Sequence, residues 1–116
     1  MIFMIDVNAE AQKALSGLGC KVVYQYPETF NAMPVISYYN LAEKGAFYAD
    51  NSECIQDGYI QVDIWSKIPK ECADISIMVN SAMERDGWTR ELSMDVPKKN
   101  EKVYHRTMRF QKYFTL

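Results

Sequence analysis

At 116 residues, with 48% hydrophobic and 24% charged side chains, the chain has the size and balance of one globular domain, which excludes a disordered or fibrous protein. A chain of this length buries roughly two-thirds of its unfolded surface, so it needs no disulfide or metal staple to fold. The formal charge of −2 hides a division: residues 1–96 carry 14 acidic against 7 basic side chains (−7), whereas 97–116 carry one, Glu101, against six (+5).

The first segment sets Phe3, Val7, Ala11, Ala14, Leu15 and Leu18 at steps of three and four, which predicts a helix ending near Gly17 or Gly19. KVVYQY, residues 21–26, is β-prone and is stopped by Pro27, which cannot donate a ladder hydrogen bond. PVISYYN, 34–40, is dense in β-branched and aromatic residues and predicts a second strand. LAEKGAFYADNSECIQDG has no sustained period, so residues 41–57 are expected to be a long flexible loop or an irregular hairpin tip.

GYIQVDIWS, 58–66, alternates cleanly, with Ile60, Val62 and Ile64 on one face and Tyr59, Gln61, Asp63 and Trp65 on the other. A strand with aliphatics on one side and aromatics around a carboxylate on the other fits a sheet whose second face meets a partner. Pro69 suits a first helical turn, and Cys72, Ile75, Val79, Ala82 and Met83 form the stripe of a second helix that stops at Gly87. WTRELSMDV and VYHRTMRFQKYF then predict two strands around the polar turn PKKNEK. One domain over 1–116 follows, of the α+β class: an antiparallel-rich sheet of four or five strands with two helices packed on one face.

Few residues suggest chemistry. Cys20, Cys54 and Cys72 are odd in number and lack both C-x-x-C spacing and a nearby histidine, which fits neither a disulfide framework nor a zinc site; buried thiols in a reducing compartment are the simpler reading. His105 is the only histidine, so any nucleophile–base pair would need it, and no serine or cysteine can be set beside it from sequence. DNSECIQDG has the acids of a calcium loop but not their register, and the five glycines never form a phosphate loop. No metal, cofactor or catalysis is expected. The opening residues lack a basic region and a long apolar run, so no signal peptide is expected, and no window approaches the roughly 18 apolar residues of a membrane span.

The cationic strip YHRTMRFQKYF, 104–114, interleaves charge with aromatics as nucleic-acid surfaces do, but alternation puts Arg106 and Lys112 on the face opposite Arg109. His105 and Arg109 then share the face away from the helices, and Tyr104, Met108 and Phe110 the face toward them.

Several phrases together are similar to a known family. YQYP (24–27), MPVISYYN, ADNSE (49–53), YIQVDIWSK (59–67), a methionine-bearing helix end before GWTR (87–90), and YHRTMRF resemble, in order and spacing, the tail-completion or tail-terminator proteins of long-tailed siphovirus-type bacteriophages and prophages of Gram-positive hosts. Trp88 departs from the smaller apolar residue expected in that position. The resemblance implies a non-catalytic virion subunit that assembles as a ring, commonly of six copies, at the head-proximal end of the tail tube. There it ends tube growth and allows head–tail joining, after assembly in the host cytoplasm.

Its implied partners are itself, the major tail-tube protein and a head-completion or neck protein. DNA would pass through the lumen without specific binding, past acidic or neutral groups, with the basic strip turned toward protein. Phe47, Tyr48, Asp50, Asn51 and Glu53 in the 41–57 segment, and Asp63, Trp65, His105 and Arg109 on the second sheet face, are the candidate interface residues. The alternative is a small nucleic-acid-binding α+β protein that uses the basic C-terminal strand.

Overall fold

A computed structural model of the chain describes residues 4–29, 33–50, 52–97 and 102–116. Phe3 of the expected helical stripe and most of the PKKNEK turn lie outside them.

Helix α1 (Val7–Leu15) starts at Asp6, whose carboxylate accepts from the Ala9 N–H at 3.1 Å and so takes up a donor that the first turn cannot pair. Val7, Ala11, Ala14 and Leu15 make its buried stripe. The helix is followed by Gly17 and Gly19, both at positive φ (+89° and +78°), where a side chain would be strained. Strand β1 (Lys21–Tyr24) follows, then β2 (Val35–Ala49), β3 (Ser52–Ser66), α2 (Pro69–Arg85), β4 (Thr89–Val96) and β5 (Tyr104–Thr115).

The strands form one sheet in the order β1-β2-β3-β5-β4, with every neighbouring pair antiparallel except β1 and β2, which run parallel. The fold is therefore α+β, with five strands and two helices sharing one sheet face. The core lies on that face, where Ile36, Tyr38, Ile60, Val62, Ile64, Met108, Phe110 and Phe114 from the strands meet the α1 stripe and Cys72, Ile75, Val79 and Met83 of α2. Ile60, Val62 and Ile64 are fully buried, each contributing about 1.5–3 kcal/mol relative to exposure. Gly58 continues that row where α1 crosses it, and a Cβ there would lie 3.0 Å from both Val7 and Phe114. Absence of a side chain lets helix and strand approach at this point.

Helix α2 ends in paired backbone bonds: the Gly87 N–H to the Glu84 carbonyl and the Trp88 N–H to the Met83 carbonyl, both at 3.0 Å, with Gly87 at φ +90°. This Schellman arrangement satisfies the last carbonyls and turns the chain into β4. Trp88 is accommodated in the core, edge-on to Phe114 at 5.6 Å.

One expectation is corrected. Residues 41–57 are not a flexible loop: 41–49 continue β2 and 52–57 begin β3, so a long antiparallel hairpin replaces it. Register shifts after Asn40, Gly45 and Phe47 break the alternation that would have announced strands, and the ladder holds the segment through backbone bonds. Ala49 pairs with Ser52 across the turn, with Asp50 at φ +51°, a conformation Asp tolerates. Gln56, fully buried on β3, clasps Ile5 by accepting from its N–H at 2.7 Å and donating to its carbonyl at 3.0 Å, which ties the start of the described chain to the hairpin.

Candidate functional site on the open sheet face

Alternation that sends Ile60, Val62 and Ile64 into the core sends Gln61, Asp63 and Trp65 to the face the helices leave open. Register pairs Trp65 with His105, Asp63 with Thr107 and Gln61 with Arg109, so the interface candidates of β3 and β5 meet although about forty residues apart in sequence. The Asp63 carboxylate is fully buried and sits 2.7 Å from His105 Nε2, while the Gln61 amide donates to its two oxygens at 3.3 and 3.1 Å. The imidazole lies flat on Trp65, ring centroids 3.7 Å apart and planes 11° from parallel, and the Trp65 indole N–H donates to the buried Ser37 hydroxyl at 2.9 Å. A buried carboxylate is tolerated only when paired and hydrogen-bonded, and here Gln61 of β3 and His105 of β5 supply that pairing.

Aromatics border this cluster. The chain leaving β1 returns to the start of β2, and Tyr26 on that return packs 5.8 Å from Tyr39 and 6.4 Å from Trp65. Burial, then the Tyr26 hydroxyl, push the Tyr39 phenol up to about 12, against the pull of the exposed Arg109. Further along the face Asp57 accepts from Tyr59 at 2.8 Å and Gln111 at 2.7 Å, and the bond to Asp57 is the main reason the Tyr59 phenol is raised to about 12. Sequence reasoning missed Ser37, Tyr39, Tyr26 and Gln111. The period of two in VISYYN could have placed Ser37 and Tyr39 beside Val35 on this face.

The remaining candidates stand elsewhere. Phe47 and Tyr48 are more than half exposed near the hairpin tip, with Asp50 at its turn and Glu53 on the return strand; Asn51 is outside the described residues. Expected positions on β5 hold for Met108 and Phe110, which are buried, but Tyr104 is half exposed beside the first turn of α2. The basic strip is partly consumed within the chain. Arg106 Nε donates to Ser93 Oγ at 3.0 Å and its guanidinium lies 3.8 Å from Asp95, while Lys112 donates to the Asp86 carbonyl at the end of α2.

No family model matches the chain, and no curated protein matches it.

Asp63 and His105 form a carboxylate–imidazole pair, but the hydroxyl nearest in register, Ser37, is buried and engaged by Trp65, and Thr107 Oγ1 is buried with no partner. Gln61, Trp65 and Ser37 brace the pair from β3 and β2, and His105 also borders the cleft between the start of α2 and the β4–β5 pair. Burial raises the thiols of Cys72 and Cys20 and so favours the protonated form; Cys72 is buried as expected, whereas Cys20 and Cys54 are only half buried. Among the described residues no three His, Cys, Asp or Glu side chains converge as a metal set would, and no helix is long and apolar enough to cross a membrane.

Proposed function

We propose that the chain is a structural virion subunit that closes the head-proximal end of a phage tail tube as a ring, commonly of six copies, stopping tube growth and presenting a surface for head–tail joining. Its partners in this reading are further copies of itself, the tail-tube protein and a head-completion or neck protein, and it performs no catalysis. The observation that carries the reading is that two of the phrases on which the family resemblance rests, YIQVDIWSK and YHRTMRF, lie side by side as β3 and β5 and join through Asp63, Trp65 and His105 on the open face. A subunit with its core on one side of the sheet and, on the other, a buried polar cluster bordered by the exposed Tyr26, Arg109 and Tyr113 suits an assembly that needs several unlike contacts per copy.

Termination in this scheme is geometric: one ring face copies the stacking surface of the tube and the other lacks it. The nucleic-acid alternative is weaker because the strip is split between two faces: Arg109 is exposed on the open face, whereas Arg106 and Lys112 lie on the other, where Lys112 donates to the Asp86 carbonyl of its own chain. Electron microscopy of particles from a phage or prophage lacking this chain tests the proposal. Over-long, unjoined tails are expected, and joined tails of normal length would refute it.

A further inference from the structure

We propose that the acidic, aromatic tip of the β2–β3 hairpin of one copy docks into the cleft between the start of α2 and the β4–β5 pair of a second copy. This deepens the ring reading, and the biological meaning of the contact rests on it.

The two surfaces lie at opposite ends of the sheet. β5 runs from Tyr104 opposite Ser66 to Thr115 opposite Ile55, so the hairpin tip stands beyond one end of β5 and the cleft beside the other, in a molecule 54 Å long and 27 by 24 Å across. The tip of a copy is thus remote from its own cleft. The tip carries Asp50 and Glu53, and between Lys44 and Lys67 the sequence has no lysine or arginine. It also exposes Phe47 and Tyr48, unusual on a projecting end unless something covers them.

Tyr48 lies across Gly45, where a Cβ would overlap its ring, so the glycine lets the aromatic lie down on the strand. An aromatic already held in place loses less freedom when it docks.

The cleft has the complementary character. Its volume is about 520 Å³, within the roughly 300–1,000 Å³ of sites that enclose a ligand, and Pro69, Ala73, Val96 and Tyr104 give it largely apolar walls. Arg106 supplies a partly exposed guanidinium whose nearest carboxylate, Asp95, is itself mostly in solvent and 3.8 Å away. Lys67 and Lys102 are exposed at the same end, as is Lys70, which pairs with Asp74 at 3.4 Å. An acidic tip with two aromatics therefore finds apolar walls and cations in a second copy of the same chain. Because tip and cleft are different patches, the contact is head-to-tail, and it closes into a ring when the rotation per copy permits.

Sedimentation velocity of the purified full chain, from about 10 μM to about 1 mM and at low and high salt, tests this. Self-association that weakens about tenfold in high salt is expected. Phe47→Ser with Tyr48→Ser should weaken it at least tenfold with unchanged circular dichroism and Tm, since both side chains are exposed. Ala73→Glu, which sets a carboxylate in the cleft, should do the same.

A mixture of the tip variant and the cleft variant should give dimers and nothing larger, because only one tip and one cleft remain to pair. A wild-type chain that stays monomeric throughout, a tip variant that associates like wild type, or a mixture without dimers overturns the contact. Tails separate it from the ring reading. If loss of the chain gives over-long tails but the tip variant gives normal ones, the contact is overturned and the ring reading stands. If loss of the chain leaves tails normal, the ring reading fails and the sedimentation result alone decides the contact.

Discussion

Replacing His105 by alanine removes two interactions at once from the open face. Asp63 loses its 2.7 Å partner while remaining buried, and a hydrogen bond to a charged group contributes about 1.5–3 kcal/mol. Trp65 loses a ring stacked at 3.7 Å, about 0.5–1.5 kcal/mol by comparison with aromatic pairs. Since His105 is itself nearly buried, solvent screening takes little away, and the expected loss is about 3 kcal/mol. For a domain of this size that lowers Tm by about 12 °C.

His105→Phe should recover the stacking part and lose the polar part. Asp63→Asn added to His105→Phe should then be less harmful than the two changes summed, by about 1–2 kcal/mol, because the amide no longer needs a cation or donor beside it. Urea unfolding followed by circular dichroism measures all of these. Losses under about 0.5 kcal/mol for His105→Ala, or strict additivity of the pair, would refute the view that Asp63 and His105 hold one another.

Two further outcomes are expected. Lys112→Ala should destabilise by about 1–2 kcal/mol, because the ammonium lies at the carbonyl end of α2 and over the rings of Trp88 and Phe114, while Lys112→Met should restore part of that by keeping the stem; equal losses for both in thermal unfolding would assign the whole effect to charge. Tyr39 and Tyr59, raised from 10 to about 12, keep their protons in the folded state where the unfolded chain releases them. Their contribution to stability is therefore full below pH 10 and lost as pH rises toward 12. Burial raises the Tyr38 phenol as well, so tyrosinate absorbance should show three of the eight tyrosines lagging in the folded protein, and a single step near pH 10 would contradict it.

Where one side of an element is buried, the sequence announces it. The alternation of Ile60, Val62 and Ile64 and the stripe from Cys72 to Met83 were legible because burial imposes a period on them. The hairpin was legible only as one of two alternatives, because much of 41–49 is exposed and its bulges break the period; the Asp50–Asn51 dipeptide was the available turn signal. Asp63, Trp65, His105 and Arg109 could be assigned to one face by parity, but the bond between Asp63 and His105 depends on a register set by residues across the whole β3–β5 ladder. Tyr26 joined them only because β1 runs parallel to β2, so the chain must return before pairing again.

That both helices cover the same sheet face has an evolutionary consequence. Along β3 and β5 successive residues answer to different constraints: one set must fill a core of fixed volume against the helices, and the next lies on the opposite face. Exposed positions such as Arg109 can therefore drift without disturbing the interior. Asp63 and His105 are the exception, for neither can change alone without stranding the other, so a lineage that altered this part of its surface would have to replace both together.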